Sequence, residues 1–254
     1  MNAVMLPSGH GCHGIMQFLT SFVINKAIAI DAGSIGFQED LEFQSGVRHL
    51  FLTHAHVDHI ASLPIYLESV YSVTNSPPTI YSLPETWEAI HRHMFNDMLY
   101  PDFIRISAEG HPILAWQELI PGKPVAVAGL RLTPVPVNHL IPTLGYIIED
   151  DRSAIAFATD TGPSNDIWAE CAKRPNLRAV FLECAFPASL HWLADLAGHL
   201  STDLISAELA KIAGDVPVYV IHIKPHFRCE VVDELKGLLA INLHICEPGK
   251  VYDF

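Results

Sequence analysis

Between Thr53 and His59 the chain reads THAHVDH, three histidines and an aspartate in six positions, with apolar residues Leu50–Leu52 before them and Ile60, Leu63, Ile65 and Leu67 after. Imidazoles and carboxylates are costly to bury unless something satisfies them, and a shared cation would do so. If Thr53 ends a strand, His54 and His56 project to the same side of the extended chain and could grip one cation. Asp58 and His59, at the turn into the next helix, would point elsewhere and could serve a second. Two ligands per cation are too few, because a catalytic centre takes at least three protein ligands and keeps one position open. Further His and Asp residues should therefore end later strands.

Three do: His139 after the apolar run in TPVPVNH, Asp160 in FATDTG and His222 in VYVIHIKP. This assigns His54, His56 and His139 to a first metal and Asp58, His59 and His222 to a second. Asp160, with two carboxylate oxygens, would lie between them. The donors are all nitrogen and oxygen, which suits zinc first and manganese or iron next. The competing explanation, ordinary core or surface histidines, requires seven ligand-type residues in these places by chance.

The elements that must position these residues are legible as apolar, β-branched runs: Phe22–Ile30, Leu50–Thr53, Val125–Val137, Leu144–Ile148, Ala154–Ala158, Ala179–Leu182 and Val218–Ile221. Helical patterns alternate with them, through Ile60–Val70, Pro84–Tyr100, Ser164–Lys173, Thr202–Ile212 (with Ser201 as a cap) and Glu230–Leu239. The pattern predicts an α/β chain, an αββα sandwich of two mixed sheets flanked by helices, as one domain over residues 1–254.

Half of the 254 residues are hydrophobic, which excludes a disordered chain. The formal charge of −13, with 15 basic against 28 acidic side chains and no basic cluster, argues against a long nucleic acid as substrate. No apolar run reaches the roughly 18 to 20 residues of a membrane span, and the N-terminus does not read as a secretory signal. Five scattered cysteines fit reduced thiols in the cytoplasm better than a disulfide framework.

HxHxDH after a strand, followed by spaced His, Asp and His, resembles the metallo-β-lactamase superfamily of binuclear metallohydrolases. TSFVINKAIAIDAGSIG, which places Asp31 before a Gly turn, resembles that superfamily's opening hairpin. HAHVDHIASLPIYLES, LECAFP, GHLS and HIKP resemble the signature of the class II cyclic-nucleotide phosphodiesterases, and GHGCHG loosely matches their Gly-rich N-terminal loop. The resemblance implies hydrolysis of 3′,5′-cyclic AMP or GMP to the 5′-nucleotide by a hydroxide bridging two divalent metal ions, and a homodimer. Other hydrolases of the same fold, such as RNase Z-type tRNA endonucleases or lactone and thioester hydrolases, are the nearest alternatives. A non-enzymatic cyclic-nucleotide or metal sensor is the alternative outside enzymes.

His199 precedes a helix that could receive an anion, so it could contact phosphate or protonate the leaving oxygen. Lys224 could contact phosphate or sit in water. Glu183 could orient a ligand histidine. Asp58 and His199 are the catalytic candidates, and His199 and Lys224 the substrate contacts. His91 and His93 are i and i+2 on a helix and should not share a ligand. Trp87, Phe95, Met98, Tyr100 and Phe103 read as core rather than as a lid, and Cys12 and Cys184 as small buried residues.

Overall fold

A computed structural model describes residues 1–9, 16–73, 76–238 and 242–254. Cys12 and most of GHGCHG lie outside the described residues, as does the end of the helix expected to reach Leu239.

The first six strands are β1 (Asn2–Met5), β2 (Phe22–Ile24), β3 (Ile28–Ile30), β4 (His49–Phe51), β5 (Thr79–Ser82) and β6 (Ala115–Glu118). The next are β7 (Val125–Val127), β8 (Leu130–Pro136), β9 (Leu144–Glu149), β10 (Ala154–Ala158), β11 (Leu177–Glu183), β12 (Val218–Ile221) and β13 (Leu243–Ile245). Strand β14 (Val251–Asp253) returns to pair with β1. Among the described residues they form two sheets, ordered β14-β1-β2-β3-β4-β5-β6 and β13-β12-β11-β10-β9-β8-β7. One half of each sheet is antiparallel and the other parallel, the change falling at β3 and β10.

The runs Phe22–Ile30 and Val125–Val137 are each a hairpin, the first as its resemblance to an opening hairpin implies. Asn25 and Lys26 (φ 48° and 56°) divide β2 from β3, and Ala128 and Gly129 (φ 49° and 75°) divide β7 from β8. Paired left-handed residues make a turn whose twist matches that of the flanking strands.

Alternation builds the layers. Ile28, Ile30 and Phe51 meet Ile155, Phe157, Phe181 and Ile221 in a core between the sheets. Phe157 and Phe181 stack there at 4.6 Å, with the edge of Phe22 against them. The opposite faces are also apolar. Ala29, Leu50 and Ile80 pack on α2 (Val57–Ile60), α3 (Leu63–Val73) and α4 (Pro84–His93), which follow a short α1 (Leu41–Gly46). After α5 (Phe103–Ala108), the second sheet's Ala156, Val180 and Val220 pack on α6 (Asp166–Ala172), α8 (Thr202–Leu209) and α9 (Arg228–Gly237). The short α7 (His191–Ala197) precedes α8. The result is the expected αββα sandwich, with central strands such as β2, β3, β9 and β10 buried on both faces.

Three details differ from expectation. Helix α4 stops at His93 rather than Tyr100, where Asn96 accepts from the amides of Met98 and Leu99 and turns the chain. Phe95 and Phe103 are core as expected, and Trp87 and Tyr100 pack against it, but Met98 is 93% exposed. Ser201 occupies the cap position of α8 without capping it, its hydroxyl donating instead to Asp203.

Candidate metal centre

The loops that leave the C-terminal ends of β3, β4, β10, β11 and β12, in the parallel halves, and of β8 in the antiparallel half, carry the chemistry. Strand β3 leads to Asp31, β4 to Thr53 and His54, β8 to His139, β10 to Asp160, β11 to Glu183 and β12 to His222. Asp31, Asp160 and His222 have positive φ (61°, 46° and 58°), a conformation costly for residues with a Cβ. Strain at three functional side chains is a recurrent mark of a site that the surrounding structure over-determines. Gly33 is also obligatory: a Cβ there would stand 2.2 Å from the Asp58 carbonyl and 2.6 Å from that of Thr20.

The seven residues expected as ligands converge. One ligand atom from each of His54, His56, His139 and Asp160 falls within 4.8 Å of the others, and so do those of Asp58, His59 and His222. Asp160 Oδ2 faces His54 Nε2 at 3.5 Å and His139 Nε2 at 4.0 Å. Its Oδ1 faces His59 Nε2 and His222 Nε2, each at 3.2 Å. His56 presents Nδ1 instead, 3.2 Å from His139 Nε2.

The far nitrogens of four histidines are anchored. His54 Nδ1 donates to Thr53 Oγ1 (2.9 Å), His59 Nδ1 to Asp31 Oδ2 (2.7 Å) and His139 Nδ1 to the Gly198 carbonyl (2.7 Å), and His222 Nδ1 pairs with Thr20 Oγ1 (3.2 Å). Such anchoring fixes the lone pair of the other nitrogen on the site, the arrangement usual for ligating histidines. The Thr53 hydroxyl gives its own hydrogen to Asp31 and so can only accept from His54. The Nε2 atoms of His54 and His59 are buried without a hydrogen-bond partner. Unpartnered buried nitrogens aimed at a carboxylate oxygen fit a cation, and the chemistry of the donor set fits a divalent one.

Charge supports that fit. Burial pushes the His54, His56 and His139 imidazoles below their ordinary range, well below for His54, which keeps them neutral and able to ligate. Burial lowers His222 to about 3 despite Asp160. Burial also opposes the charge on Asp160, but the surrounding histidines hold it well below the usual carboxylate range. His59 is the exception, because Asp160 and Asp31 outweigh burial and hold it protonated.

His199 stands at the edge of this cluster, its ligand atom within 4.8 Å of those of Asp160 and His222. Its Nδ1 donates to Glu183 Oε1 at 2.8 Å, and Glu183 also accepts from the amides of Thr161 and Leu200. Glu183 thus orients His199 rather than one of the seven. Burial lowers the His199 pKa, but Glu183 reverses this and raises it. Lys224 Nζ lies 3.2 Å from Asp58 Oδ2 and 2.9 Å from His222 Nε2. His91 pairs with Asp102, and neither it nor His93 belongs to a metal-type cluster among the described residues. Cys184 is fully buried, as expected.

Sequence reasoning assigned no role to Thr53 or Thr20, and it noted Asp31 only as part of a hairpin. For Asp31 the signal was present, an acid directly after the buried run Ile28–Ile30. For Thr20, 202 positions from His222, there was none.

The surroundings in known proteins are consistent. A probable 3′,5′-cyclic-nucleotide phosphodiesterase of Yersinia pestis is 26% identical over 213 residues, 73% of this chain and 60% of that protein, so the chain spans less than two thirds of this relative's length. The crystal structure of unliganded yeast PDE1 superposes with a TM-score of 0.79 at 20% identity, covering 98% of each chain. That of human tRNase Z, short form, superposes with 0.70 at 15% identity over 100% and 99%. At these identities the superpositions speak for the fold alone. Residues 29–223 match the family model described as a β-lactamase superfamily domain, and the chain belongs to that family.

Proposed function

We propose that the chain, read as one domain over residues 1–254, is a binuclear metal phosphodiesterase that opens 3′,5′-cyclic nucleotides to 5′-nucleotides. The observation that carries this reading is Asp160, whose Oδ2 faces the His54/His139 donors while its Oδ1 faces those of His59 and His222. One carboxylate aimed at both groups suits two adjacent dications, zinc first and manganese or iron next. His54, His56 and His139 would hold one and Asp58, His59 and His222 the other. Bound there, the ions supply Lewis acidity, lowering the pKa of water and neutralising charge on a phosphoryl group.

The protein's own part is positioning and proton transfer. His199, whose pKa Glu183 raises, is placed to give its proton to the departing 3′ oxygen. A groove of about 580 Å³ opens beside His139, walled by Leu83, Pro84, Leu119, Leu140 and Pro142, a size suited to one small ligand. Phosphodiesterase-named relatives and the charge of −13 favour a small substrate over a long nucleic acid. No helix among the described residues is long and apolar enough to cross a membrane. A cytoplasmic setting belongs to the same reading, since Cys171, Cys184, Cys229 and Cys246 are free thiols. So does the homodimer, which sedimentation velocity would measure.

The test is product analysis of metal-loaded protein on 3′,5′-cyclic AMP and GMP, 2′,3′-cyclic AMP, an aryl phosphodiester and an unprocessed tRNA. Release of 5′-AMP or 5′-GMP, lost in Asp58→Ala, is expected. Turnover confined to tRNA or the aryl diester would overturn the substrate assignment.

A further inference from the structure

Lys224 is a cationic side chain in direct contact with the expected ligands, and it touches two of the three in one group. Its ammonium lies 3.2 Å from Asp58 Oδ2 and 2.9 Å from His222 Nε2. An ammonium can only donate, so in this contact His222 Nε2 is the acceptor and its lone pair is taken by Lys224, while Nδ1 lies 3.2 Å from Thr20 Oγ1. The same lone pair cannot serve an ammonium hydrogen and a metal ion at once. A dication about 2 Å from both donor atoms would also meet a like charge at close range. No lysine or arginine contact is recorded for His54, His56 or His139 among the described residues; their free nitrogens face one another and Asp160.

We propose that Lys224 is a tethered competitor for the second cation, so that the His54/His56/His139 group loads first and the Asp58/His59/His222 group binds its ion more weakly until an anion draws the ammonium away. The side chain is suited to both positions. It is about one-third exposed (32%), while its backbone is tied down by the Lys224 amide donating to the Ala185 carbonyl. A phosphoryl oxygen at the centre offers the ammonium a charge-assisted partner in place of Asp58. Binding of the anion and of the second ion would then be mutually reinforcing, as linkage requires. This inference rests on the metal-binding part of the proposed function and not on the identity of the substrate.

The test is Mn²⁺ titration of metal-free protein by calorimetry, with native mass spectrometry counting one- and two-ion states, with and without inorganic phosphate. In Lys224→Met the second ion should bind about tenfold more tightly than in the wild type, the scale of one charge-assisted hydrogen bond removed. Lys224→Gln serves as a second neutral variant should Met not fold, and Lys224→Arg, which keeps the charge, should stay weak. Phosphate should tighten the second ion more in the wild type than in Lys224→Met. Equal or weaker second-ion affinity in the neutral variants, or an identical phosphate effect, would overturn the inference. A wild type that binds no divalent ion would instead overturn the metal centre itself.

Discussion

Glu183 holds His199 by its Nδ1 at 2.8 Å, and this contact favours the protonated imidazole. Burial alone would lower its pKa, whereas the carboxylate beside it raises it. As the proton donor His199 must be protonated, so activity should fall as pH rises through its pKa. Replacing Glu183 with Gln removes the negative charge and should move that fall to lower pH. At pH 8, kcat/KM should drop by about tenfold or more, within the range for impaired general acids. The pH–rate profile checks this: an unchanged basic limb would mean that His199 is not the donor.

Thr53 carries the influence of Asp31 to His54. With its hydrogen given to Asp31, the hydroxyl accepts from His54 Nδ1 and leaves Nε2 as the lone pair facing Asp160. Thr53→Val keeps the volume and loses the acceptor. Affinity for the first cation should fall roughly 10- to 100-fold, while Thr53→Ser should restore it. Nitrogen-15 spectra of His54 in metal-free protein should show the Nδ1–H tautomer in the wild type and Ser variant and a mixture in the Val variant.

Protonation also separates the two groups. His54, His56 and His139 are kept neutral by burial, so binding at the first group should release few protons. His59 is held protonated by Asp160 and Asp31 and must surrender its Nε2 proton to ligate. The second ion should therefore release about one proton near pH 7, and its affinity should weaken as pH falls further below the raised His59 pKa. Calorimetry in buffers of differing ionisation enthalpy reads the count directly.

What could be read from the sequence follows the range of the interactions. His54, His56, Asp58 and His59 sit in one local motif. His139, Asp160 and His222 betray themselves as ligand types directly after apolar strands, since a buried parallel strand is a continuous hydrophobic run. The layers were legible for the same reason. The holding groups were less so, because Thr20 and Gly198 reach their histidines across 202 and 59 positions, and Gly198 does so through a backbone carbonyl that no side chain announces. Strands β1 and β14 escaped notice because Asn2–Met5 and Val251–Asp253 are short and acquire meaning only when the two ends of the chain pair. The exposed Met98 escaped because Asn96, a turn former, ends α4 before an otherwise helical pattern.

The central claim is that Asp160 joins two cation groups, and counting ions tests it most directly. Elemental analysis of protein loaded with zinc and dialysed should give two ions per chain. Asp58→Ala should retain one, and Asp160→Ala should lose affinity for both. A wild type that holds a single ion, with Asp58→Ala unchanged, would contradict the account.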